Sequence, residues 1–542
     1  MSFDDLTASE TNLRGLKPLE NAILPRAAIQ PFVVTAEHMQ QIEQRLFTAG
    51  MPVAALMEKV GGLIARWFLS CLANRNYADE ADFNVGVLAG PGHNGGDALV
   101  VARELHLLGY TVKVYQPFSD CKSLTIQHAS YAKSLGIVFV ESVINLTECD
   151  AIIDGWFGFG LTRPITDSLA EDIHTLNRQN IPVFSLDLPS GIHTDTGEVM
   201  GTAIEASYTA CLGLWKRGFV QEAALPYLGT CTLIDFDIPL ADVKAVLGET
   251  PVVTRITDNH AIATLPLNRS LTSHKYKAGN LLLIAGSRQY AGAAMLAGLG
   301  AIASGVGMLT LAIPEPIRLA LLPQLPSALL IGCAETESGA IASLPKDIDL
   351  SKYDAIALGP GLTPTVLALL IQVLAADCPL LLDADGLNLL ASNNPIQQLQ
   401  ARNSPTVLTP HLGEFKRLFP NVQDNSPGEL ALKAAQASRA TVLLKGPRSA
   451  ISDGTNLWFN PQSTPALARG GSGDVLTGLM GGLMASAAQS NKEMTSAVVG
   501  AVWWHSQAAI YAEKARSRLG VDPLHLAQAL NPALQTILQA DE

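Results

Sequence analysis

The sequence predicts an α/β protein built as two three-layer α/β/α domains, and three observations carry that expectation. Strand-like and helical runs alternate from one end to the other, the pattern of parallel sheets covered on both faces. The chain has 542 residues, beyond the ~250–300 at which a single hydrophobic core stops growing. Apolar residues make up 48% and charged residues 16% of it, a balance suited to large buried cores and unlike that of disordered chains.

Residues 1–32 carry Asp4, Asp5, Glu10 and Glu20 and no apolar run, so they read as a loose extension and not as a secretory signal. The first domain is expected over 33–248, with strands Asn84–Ala89, Thr111–Tyr115, Ile137–Val140, Asp150–Ile153 and Pro182–Leu186 and helices over 98–108 and 124–135. The stretch 239–257 has neither a glycine loop nor a long periodic run, which puts the boundary there. The second domain, 249–542, repeats the theme with strands Asn280–Ala285, Asp354–Leu358, Pro379–Leu382, Thr406–Thr409 and Thr441–Leu444. Ala291–Ile313 carries no charge and is long enough to cross a bilayer. Its Gly/Ala-rich first half and the run Met308-Leu-Thr-Leu-Ala-Ile313 read better as a buried helix followed by a buried strand.

Several classes are excluded. A net charge of −13 argues against nucleic acid and anionic membrane as partners. Seven scattered cysteines, never spaced C-x-x-C, argue against a disulfide framework or zinc site and for a reducing, cytoplasmic setting. No G-x-x-x-x-G-K-[ST], H-E-x-x-H or G-x-S-x-G occurs, which removes the P-loop kinase, the zinc protease and the hydrolase elbow.

The first chemistry-bearing segment is Gly90-Pro-Gly-His-Asn-Gly-Gly-Asp97, between a strand and a helix. Small residues at a helix start let backbone N–H groups approach an anion. A dinucleotide-dependent dehydrogenase would also place an acid at the end of the next strand, and Thr-Val-Lys-Val-Tyr-Gln ends in none. Alone, the loop can equally serve a tight turn. Two more loops follow strands, one running from Asp154 to Pro164 and the other Asp187-Leu-Pro-Ser-Gly191. Strand-end loops of an open α/β sheet converge on one crevice. Asp154, Asn94 and Ser190 would bring a carboxylate, an amide and a hydroxyl to it, hard oxygen donors for a group I or II cation. Each by itself serves equally well as a cap for its own loop.

With the helix segments Ala49-Gly-Met-Pro and Leu56-Met-Glu-Lys-Val-Gly61, these three loops resemble NAD(P)H-hydrate epimerase over roughly residues 33–245. The resemblance implies a potassium site from Asn94, Asp154 and Ser190. It implies a substrate crevice from His93, Asn94, Gly95, Gly96 and Asp97 with Gly158, Phe159, Gly160, Leu161, Thr162, Arg163 and Pro164, and Asp187 closest to the chemistry. That chemistry is inversion at the hydroxyl-bearing carbon of a hydrated nicotinamide ring, with a carboxylate moving protons. His93 stands where the family has Asn, and Ala98 where it has Gly.

In the second half, Arg469-Gly-Gly-Ser-Gly-Asp474-Val-Leu-Thr-Gly478 opens a long helical run. Glycine N–H groups at a helix start cradle phosphate oxygens, and Asp474 could accept a hydroxyl proton there or simply cap the helix. Four companions lie at strand ends: Lys445-Gly-Pro-Arg-Ser449, Gly359-Pro-Gly361, Thr409-Pro-His-Leu-Gly-Glu414 and Asp383-Ala-Asp-Gly-Leu-Asn388, the last a candidate neighbour of magnesium.

From His274-Lys275 through Ala285-Gly-Ser287 and Gly292-Ala-Ala294 to the C-terminal helices, these motifs resemble the ADP- or ATP-dependent NAD(P)H-hydrate dehydratase, a ribokinase-like family. Carried over by position, Lys445, Gly446, Pro447, Arg448, Ser449 and Gly473 are nucleotide contacts. Ala294, Gly361, His411 and Asp474 face the hydrated cofactor, with Asp474 as general base. Tyr276, Thr363 and Arg469 depart from the family pattern. The resemblance implies phosphoryl transfer to the substrate hydroxyl and then loss of phosphate, without deciding between ADP and ATP.

Together the halves imply repair of hydrated NADH and NADPH (NADHX and NADPHX), one epimer being consumed while the other is converted into it. Expected alongside are potassium, magnesium, no nucleic-acid or membrane partner, and a homo-oligomer. The rival reading is a kinase for a small alcohol, such as a vitamin precursor, fused to a non-catalytic Rossmann-like scaffold.

Overall fold

The computed structural model describes residues 25–73, 83–269, 271–363 and 367–540. It divides into two compact units, one running to Thr250 and the other beginning at Pro251, with the short stretch Val220–Glu222 counted with the second.

The first unit is a seven-stranded sheet of β1 (Asn84–Ala89), β2 (Thr111–Tyr115), β3 (Val138–Val140), β4 (Ala151–Gly155), β5 (Val183–Leu186), β6 (Tyr208–Leu212) and β7 (Thr230–Ile234). The order is β3-β2-β1-β4-β5-β6-β7 and every pairing is parallel. The chain fills one side of β1 and then returns to fill the other, so the strand order reverses between β1 and β4. Ligands of open α/β sheets bind outside the carboxyl ends at such a reversal.

The helices that frame this point are α1 (Ala36–Thr48), α2 (Val53–Ala73), α3 (His93–Leu107) and α4 (Ser123–Ser134). Thr35 caps α1 by accepting the His38 N–H. Helix α2 buries Leu56, Val60, Leu63, Ile64, Trp67 and Phe68, a stripe at helical spacing. Gly61 lets it lie close on α3, since a Cβ there would stand 2.4 Å from Val100 Cγ1.

The described end of the extension is anchored, not loose. Arg26 is ion-paired to Asp235 at 2.6 Å, and Ile29 and Phe32 enter the core. Val33–Val34 pairs with Trp215–Lys216. Residues 1–24 lie outside the described residues. Strands β6 and β7 have no counterpart in the sequence reading, because Tyr-Thr-Ala-Cys-Leu and Thr-Cys-Thr-Leu-Ile each hold at most one Val or Ile.

The second unit holds an eleven-stranded sheet: β8 (Val253–Arg255), β9 (Asn280–Ile284), β10 (Met308–Pro314), β11 (Leu329–Glu335), β12 (Ile341–Ser343), β13 (Ala355–Leu358), β14 (Leu380–Leu382), β15 (Thr406–Leu408), β16 (Thr441–Leu444), β17 (Ala450–Ser452) and β18 (Leu457–Phe459). Its order is β8-β18-β17-β16-β15-β14-β13-β9-β10-β11-β12. The body is parallel, as the alternation predicts. Antiparallel pairs β11–β12, β16–β17 and β17–β18 extend it at both ends. Here the order reverses between β9 and β13.

Of its helices, α6 (Ala291–Ala303) and α8 (Ser472–Gln489) touch backbone to backbone, with α7 (Leu412–Leu418) between them in sequence and α9 (Met494–Arg516) and α10 (Pro523–Ala540) following; α5 (Asp167–Asn177) belongs to the first unit. A Cβ on Gly478 would fall 1.7 Å from Ala297 O, and one on Gly300 2.2 Å from Val475 O. The uncharged segment Ala291–Ile313 is therefore α6 followed by β10. No described helix is long and apolar enough to cross a membrane.

Candidate active sites

In the first unit, β1 passes into α3 through Gly90–Gly92 with no side chain capping the helix. Gly90 and Gly95 serve the turn itself, because a Cβ on Gly90 would lie 1.9 Å from Trp156 O and one on Gly95 1.9 Å from Gly90 O. Ala98 is accommodated because the residue facing it is Gly155, where a Cβ would come within 2.4 Å of it.

The loops after β1, β4 and β5 surround a cavity of about 380 Å³, within the range of roughly 300–1,000 Å³ of small-molecule sites. His93, Asn94, Asp97, Gly158, Phe159, Gly160, Leu161 and Asp187 line it. Gly95 and Gly96 are packed inside α3, and Thr162, Arg163 and Pro164 continue from Leu161 into solvent. The departure His93 is exposed, its Nε2 3.5 Å from Lys122 Nζ.

Asp187 directly follows β5 with a positive φ of 67°, a conformation that costs a non-glycine residue energy and recurs at functional sites. Its Oδ2 accepts the Phe159 N–H at 2.8 Å, and its Oδ1 accepts Lys216 Nζ. Lys216 is 1% exposed and also donates to Leu212 O. An ammonium with no water must be met by a carboxylate and carbonyls, and here it holds Asp187 at the cavity wall.

Behind the cavity, Asp154 is fully buried. It accepts Ser190 Oγ at 2.6 Å, Ser185 Oγ at 2.8 Å, Ser190 N at 2.9 Å and Trp156 N at 3.3 Å. Burial pushes its carboxyl above the ordinary range, and these hydrogen bonds oppose the rise. Asn94 Nδ2 donates to Leu186 O at 3.3 Å. Asp154 and Ser190 are thus in direct contact, while Asn94 stands at the cavity wall near Gly158.

Sequence reasoning missed Glu43, Lys122 and Lys216, which also line the cavity. Lys216 carried one legible signal, a lysine that directly follows the apolar run ending in Leu214-Trp215.

In the second unit the centre is Asp383, which follows β14 and is 2% exposed. It accepts Lys445 Nζ at 2.7 Å, Thr409 Oγ1 at 2.8 Å and Thr477 Oγ1 at 2.6 Å. Burial works against its charge, but the Lys445 ammonium and these hydrogen bonds hold the carboxyl below its usual range. Three strand ends and the second turn of α8 are thereby tied to one carboxylate. Only glycine fits at 359, with φ 146° and a Cβ that would fall 1.8 Å from Asp383 O.

Asp474 sits in the first turn of α8. Burial pushes its carboxyl up to about 7, the Asp383 charge adds to the rise, and Lys445 opposes it. Gly473 adjoins the same group, a Cβ there lying 3.7 Å from Lys445 Nζ. His505 on α9 donates Nε2–H to Ser472 O at 2.9 Å and steadies this turn; burial drives its pKa to about 4, so it stays neutral.

His411 has a structural role that its position at a strand end did not announce. Its Nδ1 accepts the Gly413 N–H at 2.9 Å and the Glu414 N–H at 3.4 Å, while Glu414 accepts the His411 N–H, a full capping box for α7. The proton is therefore on Nε2. Ala294 is fully buried inside α6 against Gly286, and Gly361 packs on Tyr290 and Ala293. Ser449 Oγ donates to Gly446 O at 3.1 Å, closing the turn that contains Pro447 and Arg448. Arg469 is turned to Leu519 O at 2.7 Å.

The carboxylates of Asp383–Asn388 are occupied by protein donors: Asp385 takes the Thr363 N–H and Asn388 Nδ2. No group of three His, Cys, Asp or Glu able to hold a metal occurs among the described residues.

Two family models match, "NAD(P)H-hydrate dehydratase" over residues 281–532 and "YjeF-related protein N-terminus" over 53–218. The chain is 52% identical over 503 residues to a bifunctional NAD(P)H-hydrate repair enzyme of Synechocystis, covering 92% of this chain and 94% of that one. The chain belongs to the bifunctional NAD(P)H-hydrate repair enzymes. A member from Thermosynechococcus vestitus is 49% identical, covering 94% of this chain and 99% of its own. A crystal structure of the ADP/ATP-dependent NAD(P)H-hydrate dehydratase from Bacillus subtilis, co-crystallised with ATP and magnesium, matches 52% of this chain and 97% of its own at 34% identity and a TM-score of 0.44. Membership makes the chain an enzyme with an epimerase and a dehydratase half.

Proposed function

We propose that the first-unit cavity binds the hydrated nicotinamide end of NADHX or NADPHX and interconverts its epimers, and that the Asp383–Lys445–Asp474 group of the second unit dehydrates one of them at the expense of ADP or ATP. The domain limits would be 33–248 and 249–542. The observation that carries the first half is Asp187, held by Lys216 and the Phe159 N–H at the wall of a cavity on the strand-order reversal. His93, Asn94, Asp97 and Gly158–Leu161 would orient the ring there, Gly95 and Gly96 would shape the loop, and Thr162, Arg163 and Pro164 would meet the part of the dinucleotide that extends into solvent.

In the second unit a neutral-pH carboxyl, Asp474, would take the substrate's hydroxyl proton as that oxygen attacks the terminal phosphorus. Lys445, Gly446, Pro447, Arg448, Ser449 and Gly473 would receive the nucleotide, and Ala294, Gly361 and His411 Nε2–H the cofactor. The ring nitrogen's electron pair then expels the phosphate, and loss of a proton from the adjacent ring carbon leaves its C–H pair as the restored C=C bond while the nitrogen pair returns. Hydroxide leaves poorly and phosphate well, which is the physical need for a kinase-like half.

Asp154, Ser190 and Asn94 would hold potassium: Asp154 is a buried carboxylate whose hydrogen bonds come from neutral donors, with no cationic partner among the described residues. There it would supply a fixed charge that orders the loops. Magnesium, which is held by few protein carboxylates and by substrate phosphates, would arrive with the nucleotide. The test is to supply each epimer separately with ADP and with ATP and follow the reduced-nicotinamide absorbance. A stable phosphorylated product without dehydration would favour the small-alcohol kinase.

A further inference from the structure

Glu43 is a carboxylate with no structural employment. It lies on α1, whose buried face is Met39 and Ile42, and it lines the epimerase cavity with Asp97, Asp187 and Lys216. Among the described residues it accepts no hydrogen bond and joins no ion pair. A glutamate on a surface helix could turn to water at no cost. Held at a cavity wall, it is pushed up to about 7 by burial first and then by the Asp187 charge, against Lys216 and Lys122. Asp187 lives differently, bonded to Lys216 and to a backbone N–H. Two carboxyls facing one cavity, one held by an ammonium and a backbone N–H and the other without a partner, are placed as a base and an acid.

The chemistry asks for such a pair. Inversion at the carbon bearing both the hydroxyl and the ring nitrogen requires departure from one face and return on the other, and a single carboxyl serves one face. We infer that Glu43 is the second proton-transfer group of the epimerase cavity, acting from α1 while Asp187 acts from the sheet; this rests on the epimerase being sited there. The Glu43 acid gives its proton to the hydroxyl, the C–O bond breaks with its electrons on departing water, and the nitrogen pair forms a C=N bond. A water adds to the opposite face, the C=N pair returns to nitrogen, and Asp187 takes the water's proton. The enzyme is left with Glu43 ionised and Asp187 protonated, ready for the opposite epimer, and exchange with solvent resets it.

The other groups around Glu43 do not offer the same service. Burial, then Glu43 and Asp187, drive the Asp97 carboxyl well above the usual range. His93 is lowered by burial and Lys122. On the helix Leu240–Leu247 that packs on α1, Asp242 is paired with Arg45 and Lys244 with Glu249.

The test uses the full chain and separated epimers without nucleotide. Glu43→Gln is near-isosteric and should lower kcat for interconversion at least ~100-fold, the lower end for general acid–base catalysis. KM should stay within about threefold, and the wild-type pH limb near 7 should vanish. Dehydration of the usable epimer should continue at the wild-type rate. Glu43→Gln with wild-type kcat and an unchanged pH limb overturns the inference. Should the variant fail to fold, Glu43→Ala decides: recovery of epimerisation with added formate supports the role, and no recovery overturns it. A wild-type chain that interconverts nothing, or an Asp187→Asn variant with full activity, would instead sink the siting of the epimerase.

Discussion

Replacing Asp474 by Asn should stabilise the second unit while abolishing dehydration. The Asp474 carboxyl is pushed from 3.8 to about 7, mainly by burial, and a raised carboxyl is one the folded protein prefers protonated. Below 3.8 both folded and unfolded chains carry the proton and nothing is lost. As pH rises from 3.8 to 7 the unfolded chain releases its proton and the folded one does not, so stability falls; above 7 the penalty is complete. A gap of about 3 pKa units at about 1.36 kcal/mol each comes to roughly 4 kcal/mol. An uncharged isostere removes that penalty. The expected gain is therefore about 4 kcal/mol at pH 8.5 and about 2 kcal/mol at pH 5, the former on the order of 8 °C in melting temperature for a unit of this size. Calorimetry of the full chain at both pH values, beside dehydratase turnover, reads it directly. A variant no more stable than wild type, or one stabilised equally at both pH values, refutes the view that Asp474 carries a buried charge at working pH.

Two other perturbations test the first unit. Lys216→Met strands the buried Asp187 carboxylate, so it should cost about 3–5 kcal/mol of stability and most of the epimerase activity; a melting temperature within 2 °C of wild type, roughly 1 kcal/mol, would show that the ion pair is dispensable. Potassium chloride titrated against choline chloride at constant ionic strength should raise the melting temperature of the wild-type first unit, by the order of 2.7 kcal/mol at 100 times the dissociation constant, and should leave Asp154→Asn unmoved. Equal responses in the two would remove the cation from Asp154.

Much of the fold was open to inspection in the chain because parallel strands are buried on both faces and announce themselves as apolar runs. Asn84–Ala89 agrees with β1 to the residue, and Thr111–Tyr115 with β2. The antiparallel pair β17–β18 was not, since strands of three residues are too short to show a period, and β6 and β7 were not, since each holds at most one Val or Ile. Asp187 and Asp474 stood out because each follows a strand or glycine run in its own segment. Glu43 did not, because its meaning depends on a cavity whose far wall, Asp187 and Lys216, comes from a distant part of the chain.

What the amino-acid order determined alone was local: where strands and helices begin, which turns must be glycine, and which strand tips carry carboxylates, amides and lysines. Only the tertiary structure decided which of these meet. It paired Asp187 with Lys216 and Asp383 with Lys445, gave His411 to a helix cap, and turned Arg163 to solvent. The physical reason is that backbone geometry and hydrophobic period act over a few residues, whereas the energy of a buried charge depends on every group that surrounds it, whatever its distance along the chain.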